Sequence, residues 1–406
     1  MKRIIRILLL LCCLSGLSFP AFAAEQSTDA DHFASMGTTP SNLRLGGRTA
    51  CDGENVYYSV LGEGIFCTGI SGGGSTMVVS LSDFGSGASD RCDFQYLNAT
   101  GGALYFYYEG SGNTSGIYAY RPGGGISRIL SGKGIVYLGM SAGRLIYCRA
   151  GEYVGASDGV SGEYGFSEIP AYSMCTFYEM NVDGTGRRSL GAVVPVSSSW
   201  DLLVTDERIC YVDVTNRDMP LYSVKKDGSD QVQLSAEYTH FVEPPYYDYG
   251  GYIYFRESSI DTIADGTRMV GSSTAYCRVR PDGTGKESLP FPEDAKIQMG
   301  FANALDGRCY IPVQNGIVWA APGTGQSGSV YQKDEMTDQL NVLYTVPGWL
   351  YFTSTVYPSN YVKPTAPGNY TVKLDEAFCR IRVDGSGFEV IHRKPGSVSF
   401  TQTIFY

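Results

Sequence analysis

Histidine is nearly absent from this chain of 406 residues, which contains only His32, His240 and His392. His32 lies in a polar stretch behind a hydrophobic N-terminus, so two histidines remain for a folded domain. A metal centre built from several histidines, or a relay of several imidazoles, is therefore disfavoured. We interpret His240 and His392 as structural or surface residues, and we expect no metal and no cofactor.

Charged side chains are also sparse, and acidic ones prevail, giving a formal net charge of −10. An acidic surface repels phosphate backbones and anionic lipids, so nucleic acid is not an expected partner. No Cys-x-x-Cys spacing occurs, and nine of the eleven cysteines lie beyond residue 23. An odd number cannot pair completely within one chain, so a partial disulfide set stays open. We interpret several of these cysteines as small buried hydrophobic residues.

Long apolar runs are missing except for Ile7–Leu17, which follows a basic N-terminus and precedes a small-residue site ending at Ala23. The run is too short to span a bilayer comfortably and has the order of a secretory signal. Residues 1–23 are therefore predicted to be a cleavable signal peptide, with an uncleaved membrane anchor as the alternative. We expect an extracellular or cell-surface protein without stable membrane insertion after cleavage, formed by a polar segment (24–41) and one domain (42–406).

What the chain does contain is a repeat built around a strand with paired aromatic or aliphatic residues. Seven tyrosines mark it, spaced on average about 49 residues apart: Tyr57, Tyr105, Tyr147, Tyr211, Tyr254, Tyr310 and Tyr351. A second strand in each unit ends at a glycine turn, with Asp-Gly in four copies: Asp183-Gly184, Asp227-Gly228, Asp282-Gly283 and Asp384-Gly385. Asp-Gly favours tight hairpins because both residues tolerate positive φ.

This pattern predicts an all-β chain folded as a β-propeller of four-stranded blades, with seven blades favoured and six as the alternative. The last segment, Ser397–Tyr406, forms an extra strand after the seventh unit. We expect this strand to pair with the N-terminal blade and close the ring.

The segment Cys51–Tyr58 (CDGENVYY), together with the recurring Tyr-x-x-x-x-Asp-Gly-[Ser/Thr]-Gly, resembles the low-density-lipoprotein-receptor-like β-propeller repeat. The resemblance extends over Asn42–Tyr406, although the Tyr-Trp-Thr-Asp motif of the animal proteins is absent. It implies a propeller of the kind found in exported bacterial proteins of uncharacterised function. Fold alone does not specify activity.

No catalytic constellation is evident in the sequence. Two Gly-x-Ser-x-Gly matches, at 69–73 and 155–159, fall in glycine-rich loops without the strand-turn-helix context that a serine nucleophile needs. The Asp of each Asp-Gly turn is interpreted as a turn former rather than a calcium ligand. The alternative to a binding module is a carbohydrate-active enzyme, of glycosidase or lyase type, that uses loop carboxylates. Candidates are Glu163, Glu168, Asp261 and Asp265.

Three units carry long insertions between the aromatic strand and the next strand: Gly151–Met174, Ser258–Ser273 and Ser354–Leu374. Successive connections in an up-and-down blade alternate between the two faces of the ring, so the insertions should share one face, opposite the Asp-Gly turns. Loops on a rigid scaffold commonly bind ligands, and tyrosine suits such contacts. The predicted ligand-binding residues are Tyr153, Tyr172, Asp265, Arg268, Tyr357 and Tyr361, and the expected function is a non-catalytic binding or scaffold module for a protein or glycan.

Overall fold

The computed structural model describes residues 37–85, 93–110, 113–155, 171–197, 201–216, 219–235, 246–247, 251–262, 268–288, 303–313, 316–321, 324–332, 340–356 and 368–404. These residues form seven antiparallel sheets of four strands each, arranged as a seven-bladed β-propeller. The prediction of seven four-stranded blades is confirmed, and the six-bladed alternative is set aside.

The strands follow one another blade by blade. Blades 1 to 4 are β1 Thr49–Cys51, β2 Asn55–Val60, β3 Gly64–Gly69 and β4 Thr76–Ser80; β5 Asp93–Thr100, β6 Ala103–Glu109, β7 Gly116–Arg121 and β8 Gly125–Ser131; β9 Ile135–Ser141, β10 Arg144–Val154, β11 Tyr172–Asn181 and β12 Arg188–Val196; β13 Leu202–Val204, β14 Arg208–Val212, β15 Leu221–Lys225 and β16 Val232–Gln233. Blades 5 to 7 are β17 Tyr246–Tyr247, β18 Ile253–Thr262, β19 Arg268–Val279 and β20 Glu287–Ser288; β21 Asn303–Leu305, β22 Arg308–Val313, β23 Gly316–Ala321 and β24 Gln326–Gln332; β25 Leu340–Val346, β26 Trp349–Val356, β27 Gly368–Arg382 and β28 Glu389–Ile404.

Each aromatic strand of the sequence repeat is the second strand of a blade, because an inner strand precedes it. Those inner strands are as short as the three residues Thr49–Cys51 and Leu202–Val204. The second strands are buried on both sides, as Leu104 and Tyr105 at 1% and 4% exposure illustrate. Both sides of a central strand pack on neighbouring blades, which is why its sequence reads as a continuous apolar run rather than an alternation.

The hydrophobic core lies between adjacent blades rather than within any one of them. One cluster joins blades 7 and 1 through stacked rings, with the Tyr58 and Phe378 centroids 4.5 Å apart. Cysteines contribute to these clusters, and Cys277 and Cys379 are almost completely buried. The eight cysteines that the structure describes are thiols, seven of them buried, so their interpretation as small hydrophobic residues is confirmed for those positions.

Ring closure differs from the sequence prediction. Ser397–Ile404 is not a separate strand but the second half of β28, and it pairs with Gly368–Leu374 of β27 in the same blade. The prediction that it pairs with the N-terminal blade was wrong, because the insertion of blade 7 lengthens β27 and supplies a partner within its own blade. Every sheet of the described chain therefore consists of four consecutive strands.

A short helix, α1 (Pro40–Arg44), lies at the centre of the ring against the inner strands of blades 3 to 7. Thr39 caps it by accepting a hydrogen bond from the Asn42 N–H at 2.9 Å. The N-terminal boundary of the folded body thus lies before Asn42, because Thr38–Ser41 are buried as well. We interpret α1 as a plug that fills the channel.

Asn42 on α1 joins the plug to blades 6 and 7. Its Nδ2 donates to Thr345 O at 2.8 Å, and its Oδ1 accepts from Thr345 N at 3.0 Å and from Asn303 Nδ2 at 2.7 Å. The residues after the helix contact two further strands. Leu45 O accepts a hydrogen bond from Tyr344 Oη of blade 7, and Gly46 O accepts one from Tyr96 N of blade 2. The N-terminal segment therefore links blades 6 and 7 to blade 2 by hydrogen bonds. Among the described residues, no blade takes a strand from another part of the chain.

Candidate functional site

A pocket of about 230 Å³ lies at the junction of blades 7 and 1. Its lining residues are Arg48, Ser59, Val60, Leu61, Tyr344, Thr353, Glu376, Ala377, Phe378, His392 and Lys394. Pockets for drug-sized ligands are usually about 300 to 1,000 Å³, so this one suits a smaller group.

The pocket lies toward the face that carries the insertions. Leu61 is in the connection between β2 and β3, which is the connection that bears the insertions in blades 3, 5 and 7. Thr353 is in β26 just before the insertion of blade 7, and Glu376 is in β27 just after it. Because each blade is a meander, this face is opposite the connections between third and fourth strands, where the Asp-Gly turns lie.

One side of blade 7 supplies most of the polar groups. The register places Glu376 of β27 directly opposite Lys394 of β28, and Phe378 opposite His392. Directly opposed residues in an antiparallel pair project to the same side of the sheet, and so do residues two apart on a strand. These four side chains are therefore gathered on the side that faces blade 1.

Blade 1 holds these groups in place. Lys394 Nζ donates to Leu61 O at 3.1 Å, which bridges the two blades. The His392 ring lies 4.7 Å from that of Phe66, and its Nε2 is 3.1 Å from Glu63 Oε2. The contacts fix the positions of an imidazole and an ammonium group at the pocket wall.

The electrostatics of the pocket are mixed rather than of one sign. Arg48 pairs with Asp93, His392 lies beside Glu63, and Glu376 is opposite Lys394. Burial raises the pKa of Tyr344 above its usual range, so this residue stays a neutral donor, and its Oη donates to Leu45 O at 3.1 Å. The pocket can therefore donate and accept hydrogen bonds in a nearly neutral setting.

Of the predicted ligand-binding residues, Tyr153 and Tyr172 lie in the insertion hairpin of blade 3. Tyr153 is opposite Ser173, and Val154 is opposite Tyr172, so the two tyrosines project to opposite sides of the hairpin. Tyr153 is 68% exposed, whereas Tyr172 is half-buried against the hydrophobic cluster of blades 4 and 5. The structure thus gives Tyr153 the exposure of a contact residue and Tyr172 a packing role.

The remaining predicted residues lie at the other two insertions. Arg268 is in β19 with its backbone opposite Thr262 of β18. Asp265, Tyr357 and Tyr361 are outside the described residues. Tyr357 and Tyr361 belong to the insertion whose flanking residues, Thr353 and Glu376, line the pocket.

The four Asp-Gly turns share one hydrogen-bond pattern, which each turn forms within itself. In each of the four turns the Asp Oδ1 accepts two hydrogen bonds from the residue two positions on, as from Thr185 N and Thr185 Oγ1 at 2.9 and 2.7 Å for Asp183. These bonds lower the pKa of Asp183. The interpretation of the aspartates as turn formers is confirmed. No group of three or more potential metal ligands occurs among the described residues.

Sequence reasoning missed most of the pocket. His392 was assigned a structural or surface role, and Ser59, Glu376 and Lys394 were not singled out, because none belongs to a motif. They come from strands that are distant in sequence, and only the closure of the ring brings β2 beside β28. The length of the seventh insertion was the one signal that pointed to this part of the molecule.

The comparisons with known proteins identify no family. No protein-family model matches the chain, and no curated protein matches it. Among solved structures, the chain is similar to a nidogen/laminin complex at TM-score 0.38 and 10% identity, with 69% of this chain and 94% of that chain covered. It is also similar to an oligogalacturonate lyase in complex with manganese (0.44, 10%; 77% and 83%) and to a puromycin hydrolase variant (0.41, 13%; 90% and 57%). Likenesses this distant carry no argument about activity.

Within the described residues, no helix is both long and apolar enough to cross a bilayer.

Proposed function

We propose that this protein is an exported, non-catalytic binding or scaffold propeller that holds a protein or glycan ligand on its insertion face. The observation that carries the proposal is the pocket between blades 7 and 1. It brings His392, Lys394, Glu376 and Ser59 together beside the insertion of blade 7, on a rigid support of packed strands. Binding sites commonly combine a concave apolar surface with a few convergent polar groups.

The Asp-Gly face, on the opposite side of the ring, offers fewer groups to a ligand. Its aspartates are engaged with their own turns, as Asp227 is with Ser229. On the insertion face, the exposed ring of Tyr153 gives a large contact area with few rotatable bonds to immobilise. The acidic chain and the signal-like N-terminus favour an extracellular or cell-surface ligand over nucleic acid.

A binding screen of the mature chain against glycans, peptidoglycan fragments and peptides tests the proposal. For the best ligand found, we expect Tyr153→Ala or Lys394→Met to weaken binding about tenfold, since each removes a contact on the insertion face. Thr185→Ala on the Asp-Gly face is the matched control and should leave affinity unchanged. Loss of binding in Thr185→Ala alone would instead place the binding site on the Asp-Gly face and contradict the proposal.

A second candidate is a carbohydrate-active enzyme that uses carboxylates. The observation that favours it is the position of Glu376 in the pocket, near a histidine that contacts Glu63. Its test is turnover of a polysaccharide panel by pure protein, with Glu376→Gln as the inactivating change. Turnover abolished by that change would replace the binding proposal. The kinship with low-density-lipoprotein-receptor-like repeats stays a prediction and supports neither candidate.

A further inference from the structure

A buried hydroxyl at the pocket between blades 7 and 1, Ser59 Oγ, has no hydrogen-bond partner in the described part of the chain. The imidazole beside it is engaged, because His392 Nε2 lies 3.1 Å from Glu63 Oε2. Ser59 is only 5% exposed, and its backbone N–H is already bonded to Arg48 O at 3.0 Å, so the hydroxyl is the group left over. Buried polar groups are nearly always paired, and an exception at the wall of a pocket indicates a partner that enters from outside.

The charges around the Ser59 hydroxyl indicate a neutral partner. An acid accompanies every base at the pocket: Asp93 for Arg48, Glu63 for His392 and Glu376 for Lys394. An anion would meet these carboxylates as well as the overall negative charge of the chain. A ligand with many hydroxyl groups avoids this cost, because each hydroxyl both donates and accepts and can bridge an acid and a base.

The shape and lining of the pocket limit the size of the partner. Leu61, Ala377 and Phe378 supply apolar surface beside the polar groups. The volume of about 230 Å³ corresponds to roughly eight water molecules, close to the size of one sugar ring. A pyranose has an apolar ring face and a rim of hydroxyls, which matches this combination.

We propose that the pocket binds one neutral pyranose unit of a glycan, with Ser59 Oγ completing a hydrogen bond to a sugar hydroxyl beside the pair formed by His392 and Glu63. This inference rests on the proposed binding function and names its ligand class. Lys394 and Glu376 then contact neighbouring hydroxyls, while Phe378 and Leu61 cover an apolar face of the ring.

The experiment is a titration of the full chain with methyl glucoside, methyl galactoside, methyl mannoside and N-acetylglucosamine, followed by ligand-observed NMR. Glucuronate and glycine are titrated in parallel as an acidic and a zwitterionic comparison ligand. We expect at least one neutral sugar to bind in the millimolar range, and Ser59→Ala to weaken it about 3- to 10-fold, the effect of one lost hydrogen bond. The matched control is Thr49→Val, since Thr49 Oγ1 is also buried without a partner but lies outside the pocket.

Equal loss of affinity in Ser59→Ala and Thr49→Val would overturn the assignment, because it would show that the loss comes from a general perturbation of the fold and not from the pocket. Binding of glucuronate or glycine without any neutral sugar would overturn the ligand class. A glycan or peptide found by the binding screen that retains its affinity in Ser59→Ala, with no monosaccharide bound at ~50 mM, would overturn the pocket assignment and leave the proposed binding function intact. Absence of any ligand in both experiments would overturn both.

Discussion

Replacing Asn42 by alanine tests the idea that the helix in the channel closes the ring. The side chain satisfies both the N–H and the C=O of Thr345 and accepts a bond from Asn303 Nδ2, and all these groups are buried. Alanine leaves the two backbone groups of Thr345 without their side-chain partner, whereas Asn303 Nδ2 keeps its bond to Leu343 O at 3.1 Å. A buried polar group without a partner costs about 1 to 3 kcal/mol, so we expect Asn42→Ala to lower the free energy of unfolding by roughly 2 to 5 kcal/mol.

Urea denaturation followed by tryptophan fluorescence measures this change. The control is Asn113→Ala, an exposed position where a loss within about 0.5 kcal/mol is expected. The double variant Asn42→Ala/Asn303→Ala should lose less than the sum of the single losses, because the two amides share a hydrogen bond. A midpoint for Asn42→Ala equal to that of Asn113→Ala would refute the account of ring closure.

Three further predictions concern stability. Gly184 has φ +86°, and a Cβ there would lie 2.9 Å from Ile129 O, so Gly184→Val should cost about 1 to 3 kcal/mol in thermal denaturation. Gly74→Val, in open space, should cost little, and equal losses would contradict the argument. Burial raises the pKa of Cys210 from 9.0 to about 12, so the unfolded chain loses this proton first and stability falls as the pH rises above 9. Wild type should lose roughly 2 to 3 kcal/mol more than Cys210→Ala between pH 9 and pH 11 in urea titrations, whereas parallel curves would exclude this role. Tyr172→Ala should destabilise by about 1 to 3 kcal/mol because its ring packs on a core cluster, while exposed Tyr153→Ala should stay within about 0.5 kcal/mol; the reverse order would show that their packing is misassigned.

The repeat made the fold predictable. Seven aromatic strands mark the second strand of every blade because those strands are buried on both sides, and the glycine turns mark the end of the third strand because a tight hairpin joins it to the fourth. The inner strands carry no comparable signal: Leu202–Val204 has three residues and no turn motif of its own. The helix Pro40–Arg44 was missed for a similar reason, since five residues are too few for a helical period and their stability comes from the channel around them.

The site was less predictable than the fold. The insertion face could be derived from strand order alone, because connections in a meander alternate between its ends. The pocket could not, since Ser59 and His392 are 333 positions apart and become neighbours only through the packing of blade 7 on blade 1. Tyr172 shows what the sequence could not give: an aromatic residue in a long insertion suggests a ligand contact, and only the structure shows that its side of the hairpin also packs on the next blade.

Hydrogen exchange with and without the best ligand from the binding screen tests the central claim, that the insertion face is the binding face, most directly. Our account predicts slower exchange on ligand addition in the segments that line the pocket, Ser59–Glu63 and Glu376–Phe378, and in β28 around Lys394. The Asp-Gly turns at Asp183 and Asp282 should exchange at unchanged rates. Protection confined to those turns, with the pocket segments unaffected, would contradict the account.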